Sequence, residues 1–111
     1  MPRIRITVVK RVAHMDLLDA HLDRDAFPQA YGPCEVMQEG QEFVIGGIFP
    51  RRPDGFDCQG AWNDIQRNLA AVMYGGNLPW IVQPGTVVVS CSDGLRPVSF
   101  RIERIEEPAA E

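Results

Sequence analysis

The segment from Asp57 to Tyr74 constrains the fold more than any other part of this chain. Trp62, Ile65, Leu69, Val72 and Met73 recur at three- and four-residue spacing while Asn63, Asp64, Gln66 and Arg67 take the other side, the pattern of a helix with one buried stripe. Gly75-Gly76 supplies the left-handed residue that closes such a helix, and Pro79 keeps it from resuming. The pattern predicts a main helix over about 58–74, with Asp57 as its N-cap. A lone amphipathic helix must bury its stripe against something, so the rest of the chain has to supply an apolar surface.

That surface reads as sheet. Ile4, Ile6 and Val8 alternate with Arg3, Arg5 and Thr7, which predicts a strand over 3–9 with one buried face. Thr86 to Cys91 is a β-branched run, Asp93-Gly94 is a turn signal, and Val98, Phe100 and Ile102 alternate with Ser99, Arg101 and Glu103, which together predict a hairpin. The alternation breaks at Arg104-Ile105, the mark of a bulge or a strand end. A further strand is expected at Glu42 to Ile45, after a Glu39-Gly40 turn and a short extended piece at Val36 and Met37. A short exposed helix is expected near 16–23, where Leu17, Leu18 and Leu22 stand among acids, and an irregular connection follows around Pro28, Gly32 and Pro33. The order β-α-β-α-β-β predicts an α+β fold: a mainly antiparallel sheet, or a partly open small barrel, packed on one main helix.

At 111 residues, 45% of them hydrophobic, the chain reads as a single domain over 1–111, with an acidic tail at 106–111 expected to fray. The formal charge of -4 and the scattered basic residues argue against a nucleic-acid partner. No apolar run resembles a signal peptide or a membrane span, so a cytoplasmic location without membrane contact is expected. Three cysteines are an odd number for a disulfide framework and read as thiols or metal ligands.

The cysteines are also the first candidates for chemistry. Cys34, Cys58 and Cys91 each fall where a regular element begins or ends, and antiparallel neighbours bring Cys34 towards Cys91. None belongs to a C-x-x-C knuckle, so zinc or another thiophilic metal has only weak support from spacing. A small buried hydrophobe is the plain alternative for each. Cys58 at the first helical position would meet unpaired amides and the positive end of the macrodipole, which stabilise a thiolate, while the adjacent Asp57 carboxylate opposes that effect. Asp93 and Arg96 share the hairpin loop, where the arginine could grip an anion or simply pair with Asp93 to fix the turn. Trp62 and Trp80 are candidate walls of an apolar pocket, although Trp62 reads more readily as core. No nucleophilic triad, P-loop, zinc-protease helix or dinucleotide fingerprint is present.

Taken together, Gly32-Pro33-Cys34, Glu39-Gly40-Gln41-Glu42-Phe43, Cys58 with Ala61-Trp62-Asn63-Asp64-Ile65, Gly75-Gly76-Asn77-Leu78-Pro79-Trp80 and Cys91-Ser92-Asp93-Gly94-Leu95-Arg96-Pro97-Val98 resemble a family of small bacterial and archaeal proteins without an assigned function. The resemblance implies that the cysteines, Trp80, Asp93 and Arg96 belong to the family's pattern. Ser90 stands where members often carry a further cysteine, which weakens a cysteine-only metal site. Three readings therefore stand. The first is a small-molecule site, enzymatic or not, with Cys58 or Cys91 as thiol, Asp93 beside it, Arg96 as anion holder and Trp80 or Trp62 as wall. The second is a metal module of Cys34, Cys58 and Cys91. The third is a homo-oligomeric assembly module that uses Trp80 and the strand edges.

Overall fold

The computed structural model describes residues 2–106. The order of elements is β1 (Arg3–Arg11), α1 (Met15–His21), β2 (Glu42–Gly46), α2 (Gln59–Met73), β3 (Thr86–Ser90) and β4 (Val98–Glu106), with a 3-10 turn at Pro28–Ala30. The four strands form one antiparallel sheet in the order β2-β1-β4-β3, open at both edges. The fold is α+β, and the sheet stays open instead of closing into a barrel.

One face of the sheet carries the alternating apolar residues Ile4, Ile6 and Val8 of β1, Phe43 and Ile45 of β2, Val87 of β3, and Val98, Phe100 and Ile102 of β4, all buried. Against it lies the α2 stripe of Ala61, Trp62, Ile65, Leu69, Val72 and Met73. Phe56 joins the two layers, fully buried, with Phe43, Trp62 and Phe100 around it at ring-centroid distances of 5.1, 5.6 and 5.5 Å. The opposite face is mainly polar, with Val44 and Val88 exposed on it. Arg5 Nε donates to Glu103 Oε1 at 3.0 Å, and Arg101 Nε lies 3.4 Å from the same oxygen.

Several expectations change in detail, each for a local reason. β1 runs two residues past Val9 because a register shift between Val8 and Lys10 skips Val9 and lets pairing with β4 continue to Arg11. The break at Arg104-Ile105 is a bulge: Arg3 pairs with Glu106 and Ile4 with Arg104, leaving Ile105 unopposed. Val36 and Met37 form no strand. The edge of β1 they would need is taken by the turn that follows, where Gly40 N–H donates to Val8 O and Val8 N–H to Gln41 O. Met37 is nonetheless buried in the core. α1 stops at His21, and His14 at its N-cap makes no side-chain cap bond. Glu106 is paired in β4, while the remainder of the tail expected to fray lies outside the described residues.

The start of the main helix also differs from expectation. Cys58, not Asp57, is the N-cap of α2: its carbonyl accepts the first helical bond from Trp62 N–H at 3.1 Å, and its Sγ accepts from Ala61 N–H at 3.4 Å. At the other end Gly75, at φ +102°, allows Gly75 N–H to reach Val72 O and Gly76 N–H to reach Ala71 O, which closes the helix in the expected left-handed cap.

Candidate functional site

A cleft of about 220 Å³ opens beside the N-terminal end of α2. Cys34, Cys58 and Cys91 all line it, with Asp64, Asp93 and Arg96 among the polar members and Met37, Val98 and Phe100 among the apolar ones. Each cysteine arrives on a different segment: the irregular connection before β2, the start of α2, and the residue that follows β3.

Main-chain geometry positions two of the sulfurs. Cys91 opens the β3–β4 loop, where its N–H donates to Val98 O at 3.0 Å and its Sγ accepts from Val98 N–H at 3.3 Å. Cys58 Sγ is held by the Ala61 amide, as the cap requires. Cys34 is held through its carbonyl, which accepts from Arg11 Nη1 at 2.7 Å. All three are partly exposed and carry free thiols.

The charged residues brace the walls. Asp64 Oδ2 accepts from Ser92 N–H at 2.7 Å, tying the first turns of α2 to the Cys91 loop. Asp93 Oδ1 accepts from the amides of Leu95 at 2.9 Å and Arg96 at 3.2 Å, an Asx turn that shapes the loop. Arg96 Nη1 donates to Glu35 Oε2 at 2.7 Å, joining the hairpin to the residue after Cys34 and holding the Glu35 carboxyl below its ordinary range. The expected Asp93–Arg96 pair is thus replaced by two separate contacts, and the Arg96 fork already has a carboxylate.

Neither tryptophan lines the cleft. Trp62 is buried against Phe56, one helical turn beyond Cys58, and belongs to the core. Trp80 is 74% exposed in the loop after the far end of α2, and a helix of 15 residues places that end roughly 20 Å from Cys58. Met37, Val98 and Phe100 provide the apolar wall instead. Asp64, Glu35 and Met37 were absent from the expected site. Cys58, Ala61 and Asp64, spaced by three, lie along one edge of α2, and that spacing was the available signal for Asp64.

Among the described residues no group of three or more His, Cys, Asp or Glu side chains is placed to hold a metal ion, so the three sulfurs share a cleft without forming a ligand set. Among the same residues no helix is long and apolar enough to cross a membrane. Comparison with protein-family models, curated proteins and solved structures finds no match to this chain.

Proposed function

We propose that the protein binds a small molecule in this cleft and that Cys58 and Cys91 carry the chemistry of the site. One observation supports the reading above others: cysteines at positions 34, 58 and 91, on three separate segments, line a single cleft. Cysteines that serve only as packing are usually fully buried, whereas these three are partly exposed. The polar neighbours are engaged elsewhere, Asp64 and Asp93 with main-chain amides and Arg96 with Glu35. They hold the walls in place, and the sulfurs remain as the reactive groups of the lining. At about 220 Å³ the cleft is smaller than the roughly 300–1,000 Å³ of drug-sized sites, so the ligand is small. With Met37, Val98 and Phe100 in the wall, it is also largely apolar.

Thiol–disulfide exchange with probes of two sizes tests this. In the native protein at neutral pH, 2-hydroxyethyl disulfide should modify Cys58 and Cys91, as mapped by mass spectrometry, while oxidised glutathione should be strongly disfavoured relative to its rate with the urea-unfolded chain. Gly60→Leu should slow the reaction most at Cys58, because a Cβ at Gly60 would sit 3.9 Å from Cys58 Sγ. Thiols that stay inert until unfolding, or that ignore probe size, would show packing residues and end the proposal.

A further inference from the structure

β3 forms one edge of the sheet, and its hydrogen bonding divides its residues into two sets. Arg104 N–H donates to Gly85 O at 2.7 Å, and Cys91 N–H donates to Val98 O at 3.0 Å. Because antiparallel pairing alternates, positions 85, 87, 89 and 91 address β4 while Thr86, Val88 and Ser90 turn their main-chain N–H and C=O away from it. Among the described residues the sheet order places no strand beyond them. Thr86 is buried, but Val88 is 54% exposed and Ser90 is exposed.

Natural edges are normally blunted by charge, proline, a bulge or marked shortness. The other edge, β2, has an exposed Glu42 and ends at Gly46-Gly47. β3 has none of these devices. Its sequence, Thr-Val-Val-Val-Ser, is uncharged, and its register against β4 runs unbroken from Thr86 to Ser90.

We propose that this edge pairs with the same edge of a second copy of the chain, antiparallel about a two-fold axis, with Val88 of each copy opposite Ser90 of the other. The strand is its own complement in that arrangement. Both exposed residues have every outward main-chain group paired, Val89 of one copy faces Val89 of the other, and no like charges are opposed. A partner strand bearing charged side chains would have to desolvate them beside Val88, which favours a second copy over a charged peptide. Pairing also extends the sheet of a chain whose size limits its own core.

Sedimentation velocity across the micromolar range tests the pairing. Wild type should move from monomer to dimer, Val88→Lys should stay monomeric with an unchanged circular dichroism spectrum, and Val82→Lys, at a fully exposed loop position, should dimerise like wild type. Hydrogen exchange provides a second measurement that needs no variant: the Val88 and Ser90 amides should slow as concentration rises, while those of Val87 and Val89 should not change. A wild type that is monomeric throughout overturns the proposal. So does a dimer that survives Val88→Lys, or one that dissociates with Trp80→Ala or Phe49→Ala while the Val88 and Ser90 amides stay unprotected. Should Val88→Lys fail to fold, the concentration dependence of those two amides decides.

Discussion

Truncating Phe56 to alanine should be among the most damaging single changes available to this protein. The side chain is fully buried, and three aromatic rings surround it within 5.6 Å. Loss of a buried phenylalanine costs about 3–5 kcal/mol, and edge or stacked aromatic contacts add about 0.5–1.5 kcal/mol each to what area alone would give. Phe56 bridges sheet and helix, so collapse around the void would need both layers to move, which places the loss near the top of that range. A domain of this size has about 5–15 kcal/mol in total, so the variant would lose from about a third of its stability to all of it. At about 4 °C per kcal/mol for roughly a hundred residues, the melting midpoint should fall by about 15–20 °C. Urea denaturation followed by circular dichroism checks the free energy, with Phe56→Leu as a milder truncation expected to lose about 1–2 kcal/mol. The chain from Phe56 leads directly to Cys58, so disulfide exchange at Cys58 should also rise towards its unfolded-state rate in Phe56→Ala. A loss below about 1 kcal/mol would refute the account of Phe56 as the joint between the layers.

Leu69, fully buried at the centre of the α2 stripe, should cost about 2–5 kcal/mol when replaced by alanine, and an unchanged melting midpoint would show that the stripe is not core. Glu103 gives a pH dependence: its hydrogen bond from Arg5, aided by Arg101, holds its carboxyl below the ordinary range. The depressed folded-state value means that this stabilisation is present above the unfolded carboxyl range and is lost as pH falls through the folded one. Glu103→Gln should therefore flatten the acid limb of the melting-midpoint profile, and the wild-type limb should become shallower at high salt because the pair is partly solvated.

The elements were legible where the signal is local. The Trp62–Val72 stripe, the Gly75 cap, the Asp93 hairpin and the break at Ile105 are each written within a few residues, and the structure contains all four. Cys58 as the cap was not legible. Side-chain preferences at that position favour Asp57 over a thiol, but the helix begins one residue later with the Cys58 carbonyl taking the first bond. The alternation of β1 also ended too early on paper, since the shift that skips Val9 depends on β4 lying alongside. The candidate site divides the same way. Cys34 and Cys91 do share a cleft, but not through the antiparallel pairing expected: β2 and β3 are opposite edges of the sheet, and Cys34 arrives on an irregular connection held by Arg11. The braces Asp64–Ser92 and Glu35–Arg96 span 28 and 61 positions, and only the packed chain brings such partners together.

The middle of the sheet pairs β1 with β4, so that Arg5 lies beside Glu103, 98 positions along the chain. A pairing of that separation closes only after the entropy of a very long loop has been spent, and topologies dominated by such contacts fold in milliseconds to seconds instead of microseconds. During synthesis the first strand leaves the ribosome ahead of both its neighbours, and β2 follows long before β4. Until β4 follows, Ile4, Ile6 and Val8 have only β2 and α2 to shelter them. Cys91 is in a similar position, because the Val98 amide that holds its sulfur belongs to β4. The cleft is therefore among the last parts of the molecule to form, and a nascent chain would expose its cysteines before it had a cleft to put them in.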